Sequence, residues 1–83
     1  MVYKIYYKSS VEKDLERLDK SEQLRIVKKI ESQLRNNPLL CPMLHGRLAG
    51  LRKLRVGDYR VIYSVMDDHV WVLRIANRKD VYR

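Results

Sequence analysis

The polar and apolar pattern is clearest from Leu51 to Tyr63, which reads LRKLRVGDYRVIY. Two runs of strand-forming residues flank Gly57-Asp58, and a two-residue loop containing glycine between such runs predicts a β-hairpin. Pairing across it sets Val56 against Tyr59, Arg55 against Arg60, Leu54 against Val61 and Lys53 against Ile62. Side chains alternate faces along a strand, so Lys53, Arg55 and Arg60 share one face. Like charges set opposite one another destabilise a sheet. A polyanion lying across that face would relieve the repulsion; the bland alternative is a solvated basic face.

The remaining elements follow from their periods. Met1 to Lys8 alternates Val2, Lys4 and Tyr6 against Tyr3, Ile5 and Tyr7, as a first strand does. Ser9 opens S-S-V-E, the spacing of a capping box closed by Glu12, and Val11, Leu15 and Leu18 give residues 10–18 one apolar stripe. Asp19-Lys20-Ser21-Glu22 repeats the start signal. A longer helix then runs to about Arg35, with Leu24, Val27, Ile30 and Leu34 inward and Arg25, Lys28, Lys29 and Arg35 outward, until Asn36-Asn37-Pro38 stops it. Pro38 to Gly50 has no clean period and reads as an irregular connector with room for one helical turn. Its Leu39, Leu40, Met43, Leu44 and Leu48 are expected to pack over an end of the core, with Cys41 as a small apolar residue and His45 as a structural one.

After the central hairpin, Asp67-Asp68 marks a second turn and His69 to Ala76 a further strand. Val65 then opposes Val70, Tyr63 opposes Val72 and Val61 opposes Arg74. One face gathers Leu54, Val56, Tyr59, Val61, Tyr63, Val65, Val70 and Val72, and should receive the helices. The other holds Lys53, Arg55 and Arg60 at one end and Ile62, Met66, Trp71, Leu73 and Ile75 elsewhere. An apolar patch beside a charged one suggests a protein partner as well as a nucleic acid, and Trp71 is either a surface packer or part of such a contact. The outline is β-α-α-β-β-β: an α+β fold of two layers, with an antiparallel sheet core and two helices on one face, making a single domain over residues 1–83.

Charge sharpens this picture. Eighteen Lys and Arg against ten Asp and Glu give a net charge of +8, which favours nucleic acid, then an acidic protein, then an anionic membrane as partner. One cysteine excludes an internal disulfide framework, and without a signal peptide or a bilayer-length apolar run the expected location is the cytoplasm.

Familiar catalytic sets are poorly supplied. The histidines and Cys41 match no zinc spacing, Asp67-Asp68 is explained by its turn, and Gly57 stands alone rather than in a phosphate-cradling loop. No metal and no small-molecule cofactor is therefore expected. A cluster of Lys, Arg and Tyr can still cleave RNA, because RNA carries its own nucleophile in the 2′-hydroxyl next to the scissile phosphate. The protein must hold that oxygen in line and stabilise charge on the phosphorane, a task suited to guanidinium groups. A lysine crowded by other cations gives up its proton more readily, and Lys53 has such neighbours. Tyr82, in the closing NRKDVYR, is a second participant in proton transfer or a base-stacking group. The product would be a 2′,3′-cyclic phosphate.

The run LHGRLAGLRKLRVGDYRVIYSV, the following turn and hydrophobic strand, and the closing R-K-D-V-Y-R resemble the RelE branch of the RelE/ParE toxin superfamily over the whole chain. The resemblance implies the toxin of a type II toxin–antitoxin pair: an mRNA endoribonuclease acting in the ribosomal A site and inhibited by a cognate RelB-like antitoxin. By position it implies that Lys53 is a general base, Arg60 the phosphate-stabilising arginine of G-x-Y-R, Tyr82 the C-terminal tyrosine and Arg78 a further active-site arginine. Arg55 matches an RNA-contacting arginine, and Lys79 and Arg83 extend the basic tail. Many relatives carry His where this chain has Asn77, and some a lysine where it has Leu51. Two other readings within the superfamily are a ParE-like toxin that inhibits DNA gyrase without cleaving anything and a degenerate homologue that only binds its antitoxin.

Overall fold

In a computed structural model, which describes residues 2–77, the hairpin and its register form as expected. Strand β1 (Lys4–Tyr7) leads into helices α1 (Ser9–Glu16) and α2 (Lys20–Leu34). An irregular connector with a 3-10 turn at Gly46–Leu48 precedes β2 (Arg52–Val56), β3 (Tyr59–Met66) and β4 (His69–Asn77). The sheet order is β1-β4-β3-β2. The three later strands are antiparallel, and β1 joins β4 in parallel, Tyr6 beside Trp71. Gly57 has φ +59° at the first central position of the β2–β3 turn, where hairpin turns place glycine.

One face of the sheet forms the core. Leu54, Val56, Val61, Tyr63, Val70, Val72 and Ile75 pack with Val11 of α1 and Ile26, Ile30 and Leu34 of α2. The inward stripe of α2 therefore differs from the expected one. Ile26 is fully buried, whereas Leu24 is 68% exposed and Val27 only half-buried. Gln23 explains this rotation. Its side-chain amide donates to the carbonyls of Leu15 and Leu18 at 2.8 and 2.9 Å, satisfying the end of α1 and turning Gln23, Ile26, Ile30 and Leu34 inward together. Asp19 does cap α2, accepting from the Glu22 amide at 2.9 Å, and that bond, with the Ser21 hydroxyl, holds its carboxyl below the usual range.

The capping box at Ser9 does not form: Lys8 occupies the cap position with no side-chain bond. Ser10 instead donates to the Leu73 carbonyl at 2.8 Å, and Asp14, one turn later, accepts from the Ile75 amide at 2.9 Å. Strand β1 covers β4 only as far as Val72, so α1 satisfies the backbone edge that β1 leaves open. A bulge accompanies this change of partner. Ile62 pairs with Arg74 while Tyr63 pairs with Val72, leaving Leu73 as the extra residue on β4. Val61 consequently faces Ile75 rather than Arg74. Ile75 enters the core and Arg74 moves to the opposite face, which reverses both expected assignments.

Two tyrosines anchor the sheet to the helices and connector. Tyr63 is fully buried and donates to the Pro38 carbonyl at 2.6 Å; burial, with Cys41 alongside, pushes its phenol up. Burial first, and then Glu31, push the Tyr7 phenol up to about 12. Pro38 is buried and Cys41 half-buried, but Leu39, Leu40 and Met43 are 54%, 80% and 48% exposed. Those three do not pack over the core end as expected. Arg52 holds the connector by its backbone, donating to the carbonyls of Leu39 and Cys41 at 3.2 and 2.6 Å, so no leucine side chain has to be buried to fix its path.

Candidate functional site

The cations that the hairpin sequence brings together lie on the sheet face turned away from the helices. On β2, Lys53 pairs with Ile62 and Arg55 with Arg60; on β4, Arg74 pairs with Ile62 and Ala76 with Arg60. Two adjacent rows across three strands thus carry Lys53, Arg55, Arg60 and Arg74. Strand β1 adds Lys4, beside His69. Among the described residues, the strand positions of this face hold these five cations and no carboxylate.

The cations differ in freedom. Arg60 is 9% exposed in the middle of the sheet, which limits the rotamers of its guanidinium. Lys53 is half-buried, and Arg55 and Arg74 are exposed, so they form the rim. Ile62 lies between Lys53 and Arg74 at 6% exposure, an apolar floor that keeps water from one side of the cluster. A nearly buried central guanidinium flanked by more exposed cations suits a phosphate that must be held in one geometry.

Of the residues singled out from sequence, Lys53, Arg55 and Arg60 are brought together on this face. Arg78, Lys79, Tyr82 and Arg83 lie outside the described residues. Asn77, the last described, pairs with Tyr59, so β4 ends beside the row of Arg60 and Arg55. Among the described residues, no cluster of three His, Cys, Asp or Glu side chains could hold a metal ion, and no helix is long and apolar enough to cross a membrane.

The sequence and the coordinates each match known proteins over nearly their whole length. The family described as "ParE toxin of type II toxin-antitoxin system, parDE" matches residues 5–82. Toxin RelE of Mycobacterium tuberculosis is 36% identical over 98% of this chain and 87% of its own. The chain belongs to the RelE/ParE toxin superfamily. Its place is in the RelE branch, and it is a toxin of a type II toxin–antitoxin system. Toxin RelG of the same organism is 31% identical over 100% of this chain and 99% of its own. Among solved structures, the RelBE2 toxin–antitoxin complex of M. tuberculosis superposes with a TM-score of 0.88 at 28% identity, covering 96% of this chain and 95% of that one.

Within this RelE-branch toxin, Arg74 is the member of the basic face that sequence reasoning missed. A uniform alternation along β4 sends it toward the helices, and only the bulge at Leu73 turns it outward. The available signal was Ser10 and Asp14, one turn apart on α1 and able to bond a strand edge. Lys4 was legible as an outward residue of β1, but its neighbour was not, since parallel pairing with β4 depends on the path of both helices.

Proposed function

We propose that this toxin is an endoribonuclease that cuts mRNA in the ribosomal A site and that a RelB-like antitoxin neutralises it. The observation that carries this reading is the basic face, whose described strand positions hold five cations and no carboxylate, with Arg60 nearly buried at its centre and Lys53 one row away. The chemistry calls for no metal, since the nucleophile belongs to the substrate. The 2′-hydroxyl attacks the adjacent phosphorus, the bond from phosphorus to the 5′-oxygen breaks, and a 2′,3′-cyclic phosphate and a 5′-hydroxyl result.

Lys53 acts as the general base that takes the proton of the 2′-hydroxyl. Arg60 bonds the non-bridging oxygens as charge builds on them. Tyr82 and Arg78, by their match to the family pattern, orient the nucleotide and assist protonation of the leaving oxygen. Arg55, Lys79 and Arg83 hold flanking phosphates. Asn77 stands where many relatives have histidine, so no acid acts from that position. An acidic antitoxin segment laid over the same face would exclude the message and satisfy the cations. These reactions take place in the cytoplasm, where ribosomes and message meet.

A message carrying a single 2′-deoxynucleotide at the cut site tests the mechanism. Cleavage at that site is expected to vanish while neighbouring sites are still cut, and the normal products should end in a cyclic phosphate by mass spectrometry. Continued cutting at the deoxy position would rule out attack by the 2′-hydroxyl.

The second reading, gyrase inhibition, is favoured by the ParE description of the matching family and by Asn77. It predicts loss of DNA supercoiling by gyrase on adding the toxin, with message left whole.

A further inference from the structure

The same sheet face carries a second feature, at the end away from Arg60. Tyr6 of β1 and Trp71 of β4 lie side by side with ring centroids 5.2 Å apart and planes tilted by 32°. His69 and Tyr6 form a T-shaped pair with ring centroids 5.7 Å apart. Tyr6 and Trp71 are 42% and 36% exposed, and Met66 beside them is 55% exposed. Large rings are normally turned inward; here two stand on an open face. They do not belong to the core cluster on the other side of the sheet.

We propose that Tyr6 and Trp71 form a stacking platform for unpaired RNA bases, a subsite for the message next to the phosphate-binding cations. This inference rests on the nuclease reading for its substrate, and names the part of the protein that grips that substrate away from the cut. Trp71 pairs with Ser64, and Ile62, two residues along β3, pairs with Lys53. Strand spacing and rise therefore put Trp71 about 12 Å from Lys53 across the sheet, a distance that a short stretch of extended strand covers. Lys4, next to Tyr6 on β1, and the cations of the two basic rows flank the platform; among the described residues no carboxylate occupies a strand position of this face, and the Asp68 carboxylate of the adjoining turn lies 3.4 Å from His69.

Charge and ring chemistry together select the occupant. Cations alone would accept any polyanion, including an acidic polypeptide. The partly exposed aromatic pair beside them adds a stacking surface for what single-stranded nucleic acid supplies and polyglutamate does not, a flat base at each step of an anionic backbone. Duplex RNA keeps its bases stacked inside the helix, so it meets the cations but not the rings.

Trp71 is the single tryptophan of the chain, so its fluorescence reports the platform directly. A single-stranded RNA octamer, 2′-O-methylated to prevent cutting, is titrated into the intact toxin without ribosomes. Saturable quenching of Trp71 is expected, with affinity lowered about 10-fold in Tyr6→Ala and largely kept in Tyr6→Phe. The same octamer in a duplex, or polyglutamate of equal charge, should quench far less.

Equal quenching by duplex or polyglutamate would overturn the platform, as would unaltered affinity in Tyr6→Ala or the absence of quenching. Thermal melting of each variant separates lost stacking from lost folding. The two inferences fail separately: quenching by single strands without message cleavage keeps the platform and removes the nuclease, and cleavage without quenching does the reverse.

Discussion

Replacing Arg60 by alanine is expected to slow message cleavage about 100- to 1,000-fold, the usual loss when a fixed donor to a developing oxyanion is removed. The reason lies in placement as much as in charge. Arg60 sits on the central strand pair with Arg55 opposite on one side and Ala76 on the other, and is nearly buried. Its guanidinium therefore approaches the phosphate without first losing much side-chain freedom. Arg60→Lys keeps the charge but not the planar fork, so it should recover only part of the rate. Arg55, exposed on the rim, should matter roughly 10-fold less, since exposed charges are screened by solvent and salt. Single-turnover cleavage of ribosome-bound message, with circular dichroism melts as the control for folding, separates these cases. Full activity in a folded Arg60→Ala protein would remove Arg60 from the mechanism.

The largest effect on stability is expected at Ile30. Truncation to alanine should cost about 2–5 kcal/mol through lost burial and the cavity left behind. Small domains have only about 5–15 kcal/mol in total, and 83 residues bury a modest share of their surface, so this one change takes the protein close to unfolding. Ile30 is the middle member of the Ile26, Ile30 and Leu34 stripe, all at 0% exposure, through which α2 covers the sheet. Leu24→Ala, at an exposed position of the same helix, should shift stability by less than about 0.5 kcal/mol. Urea denaturation of the pair gives the comparison. Equal destabilisation by both would mean that α2 is turned the other way.

That pair also marks how far the sequence could be read. The β2–β3 hairpin was legible to the residue, because Gly57-Asp58 fixes the turn and the turn fixes the register. The second hairpin was legible as far as Tyr63 and Val72. Beyond that point Leu73 bulges, because the neighbour of β4 changes from β1 to the side chains of Ser10 and Asp14, and alternation alone carries no trace of such a change. The face of α2 was misread for a similar reason. Leu24-Val27 and Gln23-Ile26 are both consistent with helical spacing ending at Ile30 and Leu34, and apolarity favours the first. The polar Gln23 decides for the second because the open carbonyls at the end of α1 need a donor.

The candidate site was more legible than the packing around it. Lys53, Arg55 and Arg60 lie on the hairpin whose register the turn determines, and they share a face by alternation. The exposure of Trp71 was visible as a residue on the second face, but its partner Tyr6 was not, because no local pattern pairs the first strand with the last.

Primer extension on a reporter message, incubated with the purified toxin in the presence and absence of translating ribosomes, tests the central claim most directly. New 5′ ends that appear at A-site codons only with ribosomes are the predicted result. An intact message in both reactions, together with loss of gyrase supercoiling by the same preparation, would contradict it.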